Sequence, residues 1–174
     1  MIPDPSSFGP ITSSLVVGAQ GEHKGPDGTS RSLGGKADFE WFVSLRSQAQ
    51  VILTSGKTFR DESYRKPKSA ELAVFSKSAT ETKVDFEVIH LGPQHAKSFY
   101  EAVEHLKTLG FDRIHCEFGP TGFVSLAQKQ IVASLLSSAS PDGIECFTTE
   151  HNLEYELLSS NGLSIARVGS VAVH

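Results

Sequence analysis

The order of short apolar runs and longer helical segments constrains the fold of this chain more than any other feature. Apolar or β-favouring runs occur at residues 51–54, 72–75 and 113–117, and a polar or glycine-bearing turn follows each of them. Such runs are typical of parallel strands that helices cover on both faces. The pattern therefore predicts an α/β fold in which these runs are neighbouring central strands of a mostly parallel sheet.

The rest of the chain is divided by capping and breaker residues. A first strand is expected at residues 11–17, before a glycine-rich loop that reaches residue 35. Asp38 is suited to cap the helix that follows and ends near residue 48. The remaining predicted elements are a strand at 86–89, a helix from Pro93 to Gly110, a helix from 120 to about 137, and late strands at 144–148 and 163–173. Residues 1–10 are expected to form a loose arm on a single domain that spans residues 1–174.

Charge and composition exclude several classes of function. The net charge is −4 and the basic residues are scattered, so we expect no binding of nucleic acid. No apolar run is long enough to span a bilayer and no signal peptide is apparent, so we expect a cytoplasmic protein without membrane contact. Cys116 and Cys146 are interpreted as two buried free thiols. The seven histidines lack ligand spacing, so no metal site is expected.

The turn after the run at 51–54 carries Gly56 and Thr58. It ends in Gly-Lys-Thr like a P-loop, but that motif needs a glycine at position 51, where the chain has Val51. What remains is a glycine that lets a phosphate approach the backbone at the start of a helix. The alternative is that Thr58 simply caps a short helix.

Two further turns follow strand-like runs. Gly119, Pro120 and Thr121 come after the run at 113–117, and Pro120 is suited to the first turn of a helix. In open α/β sheets ligands bind beyond the carboxyl ends of strands, so this turn and the one at Gly56 would lie on one edge. Ser76 and Lys77 follow the run at 72–75 and could receive the 2′-phosphate that distinguishes NADP. The alternatives are an ordinary strand-to-helix turn and a solvated polar turn.

The order of these pieces resembles the riboflavin-biosynthesis pyrimidine reductases, which share the dihydrofolate-reductase-like fold. The likeness covers about residues 13–136. It rests on five segments, in order: 25–38 (GPDGTSRSLGGKAD), 44–49 (SLRSQA), 56–64 (GKTFRDESY), 74–78 (VFSKS) and 117–121 (EFGPT).

The resemblance implies an NADPH-dependent reductase with a small-molecule substrate, built as a homodimer. A ribosylamino-pyrimidine phosphate would be reduced at C1′ of its open-chain imine, giving a ribityl side chain, while the protein aligns the reactants. Carried over to this chain, the cofactor contacts are Gly56, Thr58, Ser76, Gly119, Pro120 and Thr121. The candidates near the substrate are Ser14, Ser30, Asp38, Arg60 and Glu117. Glu117 stands at a strand end beside the cofactor turn, so it is the predicted proton donor.

The chain also departs from the family pattern at two positions. Val16 stands where the family has an aspartate close to the reacting centre. Phe118 replaces a glycine, so an aromatic ring is expected where backbone normally approaches the cofactor. These departures leave two alternatives open: a degenerate, non-catalytic nucleotide-binding or assembly module of the same fold, and a reductase acting on another substrate.

Overall fold

The structure, a computed structural model, describes residues 1–78 and 84–170. Its strands are β1 (Ile11–Val17), β2 (Val51–Ser55), β3 (Glu71–Phe75), β4 (Ile89–Leu91), β5 (Ile114–Glu117), β6 (Ala133–Ser138), β7 (Leu153–Ser159) and β8 (Ser164–Ser170). Its α-helices are α1 (Arg31–Ser47), α2 (Gly56–Asp61), α3 (Phe99–Thr108), α4 (Pro120–Lys129) and α5 (Pro141–Glu150). Among the described residues, none of these helices is both long and apolar enough to cross a membrane.

The strands form one mixed sheet in the order β4-β3-β2-β5-β1-β6-β8-β7. The strands from β4 to β6 are parallel, whereas β8 is antiparallel to both β6 and β7. The three runs predicted as central strands are β3, β2 and β5, which are neighbours and none of which is an edge strand. The expected mostly parallel sheet is therefore confirmed.

Helices cover both faces of the sheet. On one face, α3, α4 and α5 bury apolar side chains, among them Leu106, Leu126 and Phe147, against the strands. On the other face, Trp41 of α1 packs with the side chains of β6 and β8, and Phe59 of α2 packs on β2 and β3. Strands β2 and β3 lie between two helical layers and are mostly apolar, as burial on both faces favours, whereas β5 and β6 are equally buried but include polar residues.

Helix α1 begins earlier than its predicted cap. It starts at Arg31 and contains a kink at Gly35, whose φ of 70° and ψ of −163° are not helical. Asp38 therefore lies inside the helix instead of capping it. The glycines at 34 and 35 signalled a loop, and the structure uses the second of them as a break within a longer helix.

The C-terminal half of the predicted element order was wrong in three places. The helix that starts at Pro120 ends at Lys129, because Gln130 adopts a left-handed conformation with φ of 56°, and β6 follows. No glycine marks this stop, so no helix-breaking residue signals it in the sequence. The run predicted as a strand at 144–148 belongs to α5, which Ser140 caps by accepting a hydrogen bond from the Asp142 amide. Strand β7 was missed.

Other boundaries differ less. Helix α3 begins at Phe99 after a Ser98 cap instead of at Pro93, and it stops before Gly110 as expected. The strand predicted at 86–89 is shifted to β4, and the predicted strand at 163–173 is β8, with residues 171–173 outside the described part of the chain.

Two expectations about individual segments also change. Residues Pro5–Phe8 form a 3₁₀ turn, and the Phe8 ring packs edge-on against the Trp41 ring with the ring centroids 6.3 Å apart. Part of the expected loose arm is therefore packed against α1. Cys116 is buried as expected, but Cys146 is exposed because its segment is a helix rather than a buried strand.

Candidate functional site

The two glycine-bearing turns meet at the carboxyl edge of the sheet. Because β2 and β5 are parallel neighbours, the residues that follow them emerge side by side. A Cβ atom placed on Gly119 would lie 3.5 Å from the Thr58 hydroxyl oxygen. A Cβ atom placed on Gly56 would lie 3.1 Å from the Ser76 side chain. Four of the predicted cofactor residues are therefore brought together.

The turn at Gly56 satisfies its own hydrogen-bonding groups. Ser55 caps α2, since its hydroxyl oxygen accepts a hydrogen bond from the Thr58 amide at 3.1 Å. The Ser55 hydroxyl donates to the Thr58 hydroxyl oxygen at 2.9 Å. The cap is Ser55, so the alternative of a Thr58 cap is wrong. The Thr58 hydroxyl oxygen lies beside the neighbouring turn, 3.5 Å from the Cβ position of Gly119.

The turn at Gly119 is open by contrast. Gly119 precedes α4 without any side-chain cap, and Pro120 supplies no amide at the first helical position. Among the described residues other than its chain neighbours, only Thr58 would lie within 4 Å of a Cβ atom on Gly119. Pro120 and Thr121 line a cavity of about 570 Å³, which Gly21, Phe147 and His151 help to enclose. An uncapped helix start beside an open cavity suits an anionic group such as a phosphate, although the carboxylates of Glu22 and Glu150 also line this cavity.

Ser76 and Arg60 lie on the far side of Gly56. The Ser76 hydroxyl donates to the Ser78 carbonyl at 2.7 Å, and Lys77 beside it is exposed. The Arg60 guanidinium approaches the same turn, with Nη1 3.2 Å from the Cβ position of Gly56. Arg60 was predicted near the substrate, but it lies with the cofactor candidates.

Glu117 is part of a buried ion pair. Arg46 Nε lies 2.6 Å from Oε1 and Arg46 Nη2 lies 2.7 Å from Oε2. The Tyr64 hydroxyl donates to Oε2 at 2.5 Å, and burial together with the charge of Glu117 raises the Tyr64 pKa well above its usual value. The Arg46 guanidinium also stacks over the Phe42 ring at 4.3 Å. Arg46 and Tyr64 were not predicted as site residues, although both lie in segments that carry the family resemblance.

This arrangement makes Glu117 an acceptor of several hydrogen bonds. Both of its carboxylate oxygens already accept hydrogen bonds from a bidentate arginine and a tyrosine, so each oxygen already has a strong partner. The catalytic role of Glu117 stays a prediction. The expectation about its neighbour Phe118 was wrong: the ring is buried in the core, 4.5 Å from the Phe99 ring, and it leaves the turn free.

A buried histidine lies beneath this ion pair. His115 Nδ1 is 2.7 Å from the Thr12 hydroxyl oxygen, and Nε2 is 3.0 Å from the Ser14 hydroxyl oxygen. Burial lowers the His115 pKa to about 4, so the ring is neutral at physiological pH. Ser14 was predicted near the substrate, whereas His115 was not singled out. The alternation of polar residues at 12 and 14 with those at 115 and 117 on the neighbouring strand is the signal that could have found it.

Asp38 lies farther along the same helix-covered face. Its carboxylate accepts a hydrogen bond of 2.6 Å from the Ser137 hydroxyl, and burial raises the Asp38 pKa. Ser137 is the register partner of Val16, the position where the family has an acidic residue. The helix thus delivers a carboxyl group to the region where the strand lacks one.

Ser30, the last predicted substrate residue, lies at the start of α1. Its amide donates to Glu62 Oε1 at 3.0 Å, which ties the end of the glycine-rich loop to the segment after α2. Lys24 of the same loop pairs with Asp61 at 2.8 Å. Ser30 therefore borders the site without contacting Ser14 or Asp38 through any hydrogen bond described for these residues.

Comparisons with solved structures agree on the fold. A pyrimidine reductase-like protein from Corynebacterium diphtheriae is similar with a TM-score of 0.64 and 17% identity, over 99% of this chain and 96% of that one. Dihydrofolate reductase from Schistosoma mansoni is similar with a TM-score of 0.54 and 17% identity, over 91% of this chain and 97% of that one. The fold of this chain is dihydrofolate-reductase-like, as expected.

A deaminase and 5-amino-6-(5-phosphoribosylamino)uracil reductase from Thermotoga maritima is also similar. Its TM-score is 0.61 at 10% identity, over 95% of this chain, and this chain spans 58% of that protein's length. No family model matches the chain, and no curated protein matches it significantly in sequence. The structural neighbours thus include riboflavin-biosynthesis reductases, and their low sequence identities support a shared fold alone.

Proposed function

We propose that this chain is an NADPH-dependent reductase of the riboflavin-biosynthesis pyrimidine reductase type. It reduces a ribosylamino-pyrimidine phosphate to the ribitylamino form. The observation that carries the proposal is the meeting of the turns at Gly56 and Gly119, with Thr58 between them and a cavity in front of the second turn. The proposal includes a homodimer, which light scattering of the purified protein would test.

The residues around these turns fit the phosphates of the cofactor. The open amides after Gly119 and Pro120, together with the Thr58 and Thr121 hydroxyls, would receive the pyrophosphate. Ser76 and Lys77 would bind the 2′-phosphate, and the nearby Arg60 guanidinium would add a second positive charge. When bound, NADPH supplies the hydride for the reaction.

The face covered by α1 would hold the substrate. Reduction of the imine adds a hydride to C1′ and a proton to the adjacent nitrogen, so the protein must provide a proton donor. Glu117 was the sequence-based candidate, but its carboxylate is occupied by Arg46 and Tyr64. Asp38 makes one described hydrogen bond, and its raised pKa favours the protonated form. We therefore assign the proton donor to Asp38 and a positioning role to Glu117.

The competing function is a non-catalytic nucleotide-binding or assembly module. It is favoured by Val16, which leaves the strand without the acidic residue of the family pattern. The two functions differ in one property that can be measured directly, which is turnover once NADPH is bound.

A fluorescence titration of the purified protein with NADPH and NADH tests the proposal. We expect saturable binding of NADPH that is tighter than binding of NADH, followed by NADPH oxidation when the ribosylamino-pyrimidine phosphate is added. Binding without oxidation would favour the binding module, or a reductase with another substrate such as a pterin. Absence of binding to either cofactor would contradict the reductase.

A further inference from the structure

His115 joins two hydroxyls that differ in their access to solvent. Thr12, on its Nδ1 side, is 7% exposed, whereas Ser14, on its Nε2 side, is half-buried. Both hydroxyls lie on the sheet face that α1 covers, and they are two residues apart along β1. Each can donate or accept, so the position of the single ring proton decides which role each one takes.

The buried side of the ring constrains the proton first. If Nδ1 carried the proton, it would donate to Thr12, and the Thr12 hydroxyl proton would need another acceptor. The described hydrogen bonds give the Thr12 hydroxyl only the histidine as partner. A buried hydroxyl proton without an acceptor is unfavourable, so Thr12 donates to an unprotonated Nδ1.

The charge on the other side favours the same arrangement. Glu117 Oε1 lies 3.8 Å from His115 Nε2, too long for a hydrogen bond but close enough for electrostatic attraction. The same carboxylate accepts hydrogen bonds from Arg46 and Tyr64. A proton on Nε2 faces that negative charge, whereas a lone pair on Nε2 would be repelled by it.

We propose that His115 carries its proton on Nε2 and thereby makes the Ser14 hydroxyl a hydrogen-bond donor to the bound small molecule. Nε2 donates to the Ser14 oxygen, so the proton of this half-buried hydroxyl turns away from the ring and is left for another acceptor. Ser14 then selects an acceptor atom, a phosphate or carbonyl oxygen, and disfavours an N–H group. His115 is a positioning residue, and the inference rests on the proposed function for the identity of the substrate.

The position of the proton is measured on the protein without any ligand. In histidine-labelled protein at pH 7, long-range proton–nitrogen correlation spectra distinguish the two tautomers, and the signal missing from His115→Gln assigns the residue. We expect a protonated Nε2 and an unprotonated Nδ1. A protonated Nδ1 would overturn the inference, whether or not NADPH binds.

The donor role of Ser14 is measured with two probes. Ribose 5-phosphate offers phosphate oxygens as acceptors, and uracil offers carbonyl oxygens. We expect one of them to shift the His115 Nε2 signal and to bind about 3–10-fold more weakly to Ser14→Ala, the size of one neutral hydrogen bond. The matched control is Ser13→Ala, because the Ser13 hydroxyl is buried without a described partner. The probe that responds shows whether Ser14 recognises a phosphate oxygen or a carbonyl oxygen.

These outcomes separate the inference from the proposed function. If neither probe shifts the signal, or if Ser13→Ala weakens binding as much as Ser14→Ala, the donor role is wrong. If a probe responds through Ser14 but NADPH does not bind, the inference holds and the reductase function fails.

Discussion

The Arg46 guanidinium holds both carboxylate oxygens of Glu117, at 2.6 and 2.7 Å. The pair connects α1 to the last residue of β5, beside the turn that begins α4. Asp38 lies eight residues before Arg46 on the same helix, or about 12 Å along an α-helix. The ion pair therefore helps to hold on the sheet the helix that carries Asp38, and the role assigned to it in the proposed site is a positioning role.

Glu117→Gln should destabilise the protein strongly. The substitution leaves the Arg46 charge without its partner, and breaking a buried pair costs about 3–5 kcal/mol. Because 24% of the Arg46 side chain remains exposed, we expect the lower end of that range. Urea unfolding of the two proteins at pH 7 measures the difference in the free energy of unfolding.

Tyr64→Phe is the matched control for this prediction. It removes one hydrogen bond to Glu117 and keeps the ion pair, so the loss should be about 1 kcal/mol. A fully stable Glu117→Gln protein that binds NADPH but has lost turnover would contradict the positioning role. That result would return the proton donor to Glu117.

Asp38→Asn should change how stability depends on pH. Burial raises the Asp38 pKa, so the folded protein favours the protonated carboxyl. A raised carboxyl pKa gives a contribution that is fully present below the unfolded pKa and is lost as pH rises through the folded pKa. The asparagine variant has no such group, so its stability relative to the wild type should increase between pH 4 and pH 7. Urea unfolding at several pH values tests this.

The same variant tests the assignment of the proton donor. A positioned general acid contributes about 10²–10⁴-fold, so kcat should fall by a factor in that range while the Kd for NADPH stays unchanged. Asp142→Asn, on the other face of the sheet, is the control. A stability difference that stays constant with pH, or an unchanged kcat, would contradict the role of Asp38.

The central strands could be predicted because their sequence carries two signals, an apolar run and a polar turn directly after it. Residues 51–53 of β2, for example, are all apolar and are followed by polar residues and a glycine-bearing turn, which leaves little choice of structure. The errors arose where one signal was missing. Gln130 ends a helix without glycine, and the apolar residues of α5 are spaced for a helix but read equally well as a short strand.

For the candidate site, the convergence of the two glycine turns could be predicted from the sequence, whereas the side-chain contacts could not. Gly56 and Gly119 are visible in sequence because turns after strands need glycine, and parallel pairing brings them together. The partners of Glu117 and Asp38 were not visible. Arg46 and Ser137 lie 71 and 99 residues away from them in sequence, so only the packing of α1 on the sheet reveals these pairs.

Lys77→Ala should reduce the preference for NADPH over NADH. If the ammonium binds the 2′-phosphate, its removal should weaken NADPH by about 10-fold or more and leave NADH unchanged, because only NADPH offers a charged partner there. Fluorescence titrations with both cofactors measure the two Kd values. Lys107→Ala, on α3, is the control. Equal weakening of both cofactors would show that Lys77 does not distinguish them.

Val16→Asp should interfere with Asp38 instead of simply restoring an acid. Val16 and Ser137 are register partners in parallel strands, so their side chains lie on the same face, and Ser137 already donates to Asp38. A new carboxyl at position 16 would lie near Asp38, and two neighbouring carboxylates repel each other when both are charged. The single variant should therefore lose stability as pH rises from 4 to 7.

The double variant Val16→Asp with Asp38→Asn separates this repulsion from the effect of lost packing at position 16. It keeps one carboxyl at the site, so it should regain stability at pH 7, with a coupling free energy of about 0.5–3 kcal/mol between the two positions. A double-mutant cycle in urea at pH 4 and pH 7 measures the coupling, which should shrink at the lower pH as the carboxyls become protonated. If turnover lost in Asp38→Asn returns in the double variant, the proton donor can be supplied from either the helix or the strand. A coupling near zero at pH 7 would show that position 16 does not face Asp38.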